Sequence, residues 1–166
     1  MMPPDRDEWV VVKKHQVVKD IIRQMVDAYP FSAPMYDLIG WCFDTGDVET
    51  TCDALFDFCS NNIQYRAEGV DWQSNALPNG IVQKGQGDCK TYANFIGGCL
   101  GAINRITDAG IDWAFRFVSY DKNIRVPYHV FIVVFTPHGE IWVDPTPGTA
   151  AERPLYPVTK KVDKWH

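Results

Sequence analysis

The chain has 166 residues, 46% of them hydrophobic, which is enough to bury one sizeable core and too little for two independent ones. A formal net charge of -5, from 16 basic and 21 acidic residues, argues against duplex nucleic acid or an anionic membrane surface as the main partner. No run of about eighteen apolar residues is present for a transmembrane helix, and residues 1–8 lack the basic-then-apolar pattern of a secretory signal. The expected location is therefore the cytoplasm.

Residues 1–8 are polar and read as a loose end, and 9–12 as a short extended run. Between 15 and 29, Val17, Val18, Ile21, Ile22, Met25 and Val26 recur at helical spacing, and Pro30 is expected to stop the helix. Residues 30–46 read as a loop with room for a helical turn around 35–41. Asp47 is placed to cap the next helix, whose stripe is Val48, Cys52, Leu55, Phe56 and Cys59. The polar stretch 61–84, punctuated by glycine and proline, reads as a long surface loop containing Trp72. Asp88 is the expected cap of a third helix with Cys89, Tyr92, Ala93, Ile96, Cys99, Leu100 and Ile103 on its inner face. Gly97, Gly98 and Gly101 inside that helix predict close packing by neighbours.

The period then changes from helical to two. Residues 112–120, 128–135 and 140–144 read as strands, with 136–139 as a tight hairpin turn. The tail from Pro145 is expected to wrap the surface. Helices followed by consecutive strands predict an α+β fold with an antiparallel sheet, in one domain over 1–166 with 1–8 and 150–166 peripheral.

Five cysteines, an odd count without a signal peptide, point to reduced thiols rather than a disulfide framework. No Cys-x-x-Cys pair or zinc-finger spacing occurs, so neither a metal nor a cofactor is expected. Cys52, Cys59 and Cys99 fall in apolar stripes and read as core residues. Cys89 differs because it opens a helix, where unpaired N–H groups and the helix dipole favour a thiolate. It reads equally as a small buried residue or as a nucleophile.

Two later residues bear on that choice. If the hairpin closes symmetrically over Pro137-His138, Phe131 faces Asp144 and His129 becomes Asp144's diagonal neighbour. A one-residue bulge would break this parity. An aspartate there can hold one imidazole nitrogen and leave the other for Cys89. Each residue alone has a plainer reading: a strand histidine bonded to a carbonyl, and a turn aspartate before Pro145. His15, His138 and His166 read as helix surface, turn tip and terminus. Donors for an oxyanion would be the Cys89 N–H with Gln83, Trp72 or Gln86, each of which also reads as an ordinary loop residue.

The run Gly85-Gln86-Gly87-Asp88-Cys89-Lys90, with Tyr92-Ala93, resembles the nucleophile motif of the transglutaminase-like superfamily. Tyr128-His129-Val130-Phe131 resembles that family's histidine strand, and Trp142-Val143-Asp144-Pro145-Thr146 its aspartate strand. The resemblance covers about residues 60–148. It implies a papain-like, transglutaminase-core fold with N-terminal helices and a nucleophile helix packed on an antiparallel sheet. It also implies a thioacyl intermediate on Cys89, with His129 as general base and acid and Asp144 orienting it. Gln83 is similar in spacing to the oxyanion glutamine of papain-like proteases. Trp72 could instead fill the aromatic position used by many transglutaminase-like members.

The chain lacks the flanking β-domains of animal transglutaminases and the paired-cysteine zinc module of peptide N-glycanases. It looks more like the small stand-alone microbial or phage transglutaminase-like cysteine peptidases; a phage origin would make virion association an option. The expected function is a cysteine hydrolase or peptidase acting on a peptide or isopeptide amide. The alternatives are an acyl transferase, cross-linking or deamidating proteins, and a non-catalytic binding or structural module. The expected partner is a peptide or protein substrate, with no nucleic acid and no membrane. The oligomeric state is left open.

Overall fold

Helix starts in this chain are written by aspartates. In the computed structural model, which describes residues 23, 25–27, 29–30, 32–68, 81, 83–119, 128–147 and 160–164, α1 (Val48–Asn62) begins where Asp47 accepts from the Thr50 N–H at 2.8 Å. Just beyond α1, β1 (Gln64–Tyr65) pairs in parallel with β2 (Gln86–Gly87). The nucleophile-motif helix α2 (Cys89–Thr107) follows at once, with Asp88 accepting from Lys90 N at 3.0 Å and Thr91 N at 3.3 Å. Asp108, in the left-handed conformation, ends it.

Four strands then form one sheet: β3 (Asp112–Ser119), β4 (His129–Thr136), β5 (Gly139–Val143) and β6 (Lys160–Lys164). Their order is β5-β4-β3-β6, and every neighbouring pair is antiparallel. Thr136 sits opposite Gly139 and Ile132 opposite Val143 in one unbroken register, as a symmetric turn over Pro137-His138 requires. Gly139, at a φ of +129°, tolerates the backbone conformation that closes the turn. The architecture is α+β, with helices packed on an antiparallel sheet.

The core lies between α2 and the sheet. Phe95, Ile96, Cys99, Leu100 and Ile103 meet Trp113, Phe115, Val130, Ile132 and Val134 there, all buried. The glycines of α2 admit three neighbours. A Cβ on Gly97 would come within 2.8 Å of the Trp113 ring, one on Gly98 would strike the Tyr36 ring, and one on Gly101 the Tyr29 hydroxyl. On the sheet, Arg116 is fully buried and donates two bonds to Glu140, at 2.5 and 2.9 Å, while its guanidinium lies 5.6 Å from the Trp142 ring centre.

Several sequence expectations change. Residues 61–84 are not simply loop: α1 runs to Asn62, β1 follows, and the described residues Ile81, Gln83 and Lys84 are helical. The described residues Pro30 and Ser32 are helical, with Tyr29 and Ala33 buried on either side, and one proline removes only one donor. The 30–46 segment carries two 3-10 turns, Ala33–Tyr36 and Gly40–Phe43, rather than one. The tail, expected to wrap the surface, contributes β6 to the sheet edge beside β3. Its backbone completes the hydrogen bonding of a strand that would otherwise be an open edge. Residues 1–8, His15, Trp72 and His166 lie outside the described residues. Among the described residues, no helix is long and apolar enough to cross a membrane.

Candidate active site

Cys89 is the first residue of α2 and is half-buried. In the first turn its N–H has no acceptor within the helix, so it remains a donor for whatever binds there. Asp88 beside it would by its charge oppose a thiolate. That charge is taken up by the two cap bonds and by the Lys90 ammonium, which contacts Asp88 Oδ2 and lies 3.4 Å from Glu68 Oε2. Burial works against the Lys90 charge, but Asp88, Cys89 and Glu68 together hold its pKa above the usual lysine value. The chain places a buried, fully paired lysine directly behind the cysteine.

Two glycines precede Cys89. Gly85 adopts a positive φ of +58°, which suits a turn into β2. At Gly87, however, the space left by the missing side chain is filled by the Thr91 side chain, so it serves packing of the helix start rather than substrate access.

His129 opens β4, and Asp144 is the residue after β5. The hairpin register brings them together: His129 Nε2 lies 2.7 Å from Asp144 Oδ2. Asp144 is 1% exposed, and its second oxygen accepts from Thr146 N at 3.2 Å, which fixes the carboxylate plane. His129 packs on Phe131, with ring centres 5.9 Å apart. Burial alone would lower the imidazole pKa. Asp144, which accepts a hydrogen bond from the ring, and Cys89, together with their charges, overcome it and raise the value from 6.5 to about 10. Asp144 thus holds His129 directly, and Cys89 is near enough to bear on the imidazole's charge.

The other cysteines are in different surroundings. Burial, with help from nearby Asp53, Asp47 and Glu49, pushes the Cys52 thiol up to about 12, and burial also pushes Cys59 and Cys99 upward. Cys42 is exposed, and none of the five is disulfide-bonded. Of the expected oxyanion donors, Gln83 is exposed on its helical turn. Gln86 accepts from Arg66 Nη1 at 3.3 Å. His138 is exposed at the hairpin tip. No group of three His, Cys, Asp or Glu is placed to hold a metal ion among the described residues.

Sequence reasoning missed three neighbours of the site. Lys90 reads only as part of the cysteine motif and Glu68 only as part of a polar stretch, and it is the Lys90 ammonium, paired with both Asp88 and Glu68, that draws them together. Tyr65 lies in a stretch read as loop. It pairs across from Gly87, and its ring packs on Tyr92 with centres 6.1 Å apart. Tyr92 was read as core. Its position three residues after Cys89 puts the two on one helix face, which is the signal that could have drawn attention to it.

No protein-family model and no curated protein matches the chain. Among solved structures, it is similar to "a Putative Cysteine Protease from Cytophaga hutchinsonii", with a TM-score of 0.54 and 16% identity. The superposition covers 89% of this chain and 47% of the other, so this chain spans about half the length of the one it matches. At that identity the likeness is one of fold: a distant structural relative, described as a cysteine protease, shares the arrangement of helices on a sheet.

Proposed function

We propose that the protein is a cysteine hydrolase of transglutaminase-like, papain-like type, which cleaves a peptide or isopeptide amide through a thioacyl-enzyme on Cys89. The observation that carries this reading is His129, held by Asp144 through Nε2 at 2.7 Å, with Cys89 near enough to support the imidazole's charge. Nε2 being engaged, Nδ1 is the nitrogen left for the thiol. An imidazolium there favours the thiolate by charge.

The thiolate attacks the amide carbonyl, and the carbonyl electrons move to oxygen. His129 then gives its proton to the departing amine as the C–N bond breaks. Water, deprotonated by the now neutral His129, attacks the thioester and releases the acid and the thiolate. Asp144 keeps the imidazole oriented through both steps.

Iodoacetamide tests the reading. At mildly acidic pH, Cys89 should alkylate at least about 10-fold faster than Cys42, and the buried Cys52, Cys59 and Cys99 should not react in the folded protein. His129→Ala should remove the advantage of Cys89. Equal rates at Cys89 and Cys42, or no effect of His129→Ala, would refute the proposal. With protein substrates, incorporation of a labelled amine instead of water would turn the assignment to acyl transfer by the same three residues.

A further inference from the structure

We propose that the Tyr65 hydroxyl is the side-chain donor that binds the carbonyl oxygen of the amide under attack, completing with the Cys89 N–H the oxyanion site. This deepens the thioacyl reading above and rests on it.

Three features point to Tyr65. It stands on β1, whose parallel pairing with β2 sets it opposite Gly87, two positions before the cysteine. Its ring lies against Tyr92, on the same face of α2 as Cys89, with centres 6.1 Å apart. It is half-buried, as Cys89 is. Tyr92 cannot play this part, because it is 2% exposed and its hydroxyl donates to the Ile63 carbonyl at 2.8 Å. The Tyr65 hydroxyl has no hydrogen bond of its own among the described residues. Gln86 is engaged by Arg66.

The electrostatics suit a donor. Burial first, then the charges of Cys89, Asp88 and Asp144, push the Tyr65 phenol up to about 12, so it keeps its proton at neutral pH. Cys89, Asp88 and Asp144 are near enough for their charges to be felt at the phenol. In the step itself no proton leaves Tyr65. As the sulfur–carbon bond forms, the carbonyl π pair moves to oxygen, and the phenol O–H and the Cys89 N–H donate to that oxygen. When the C–N bond breaks, the pair returns to the carbonyl.

Tyr65→Phe keeps the ring against Tyr92 and removes only the hydroxyl. Two rates are read on each protein: acylation by p-nitrophenyl acetate, which develops an oxyanion, and alkylation by iodoacetamide, which does not. Loss of one oxyanion donor costs on the order of 10² in rate. Acylation of Tyr65→Phe should fall by about 10- to 100-fold, with alkylation of Cys89 within about 2-fold of the parent. An unchanged acylation rate overturns the assignment. So does an equal fall in both rates, since that would place Tyr65 on the thiolate rather than on the oxygen. An unfolding midpoint equal to the parent's accompanies the expected result. Acylation that survives Cys89→Ala has a different meaning: it overturns the thioacyl reading itself, and the Tyr65 assignment falls only as its dependent.

Discussion

Replacing Asp144 by Asn should lower the titration midpoint of His129 by about 2 pH units or more. In the parent protein the imidazole is buried, which disfavours its charge, yet its pKa is raised from 6.5 to about 10. At 1.36 kcal/mol per pH unit, that displacement is on the order of 5 kcal/mol in favour of imidazolium, over and above the burial it overcomes. A hydrogen bond to a charged partner contributes about 1.5–3 kcal/mol, which alone is one to two pH units, and the lost Coulomb attraction adds to it. Asn keeps the shape but has one acceptor oxygen in place of two, so with the charge goes either the bond to Thr146 N or the acceptor for Nε2.

The assay is NMR of the histidine C2–H in selectively labelled protein, with the His129 resonance assigned by its loss in His129→Gln. A parent midpoint near 6.5, or an Asp144→Asn midpoint still near 10, would show that the carboxylate does not set the imidazole's charge. The same displacement makes stability depend on pH. Because the folded value lies above the free-imidazole value, the contribution of His129 is complete below about pH 6.5 and is lost as pH climbs to about 10. Urea unfolding of the parent should show that slope between the two limits, and Asp144→Asn should flatten it.

Two further substitutions probe the helix that carries Cys89. Gly98→Ala gains about 1 kcal/mol of helix propensity but drives a methyl into the buried Tyr36 ring, and overpacking of that kind costs about 1–3 kcal/mol. The variant should unfold at lower urea than the parent; an equal or higher midpoint would mean the ring moves aside freely. Asp88→Ala removes the cap, worth about 1 kcal/mol, and also strips the buried Lys90 of its nearest carboxylate. Asp88→Asn keeps the cap acceptor and loses the charge and the oxygen that faces Lys90, so in urea unfolding it should be destabilised less than Asp88→Ala. The reverse order would assign the aspartate's importance to Lys90 rather than to the helix start.

What could be read from the sequence was whatever a short local rule dictates. The register of β4 on β5 follows from a two-residue turn and strict alternation, and with it the meeting of His129 and Asp144. Asp47 and Asp88 were legible as caps because side-chain acceptors are needed where helices start. The three glycines of α2 signalled close neighbours, though not that the neighbours would be Trp113, Tyr36 and Tyr29. What escaped was long-range. A two-residue strand such as β1 has no periodicity to detect, and its pairing is made by backbone atoms alone. The β6 residues Lys160-Lys161-Val162-Asp163-Lys164 read as surface, since an edge strand need not be apolar. Arg116 is a buried charge whose partner, Glu140, is distant in sequence, and the second partner of Lys90, Glu68, is distant too, so nothing local shows that either charge is buried. Tyr65 was hidden for the same reason as β1.

The short β1–β2 bridge has a consequence for how this scaffold can change. Gln64 N donates to the Gly85 carbonyl at 2.8 Å and Arg66 N to that of Gly87 at 2.7 Å. The chain that leaves α1 and the chain that arrives at Cys89 are thereby fastened side by side. Whatever lies between them in sequence starts and finishes at one fixed point next to the cysteine. Lengthening such a connection costs only about 0.6 kcal/mol for each doubling, and the added residues bear no tension on α2. Length added between Arg66 and Gln86 therefore ends at the bridge, and the helix that Cys89 opens stays where it is.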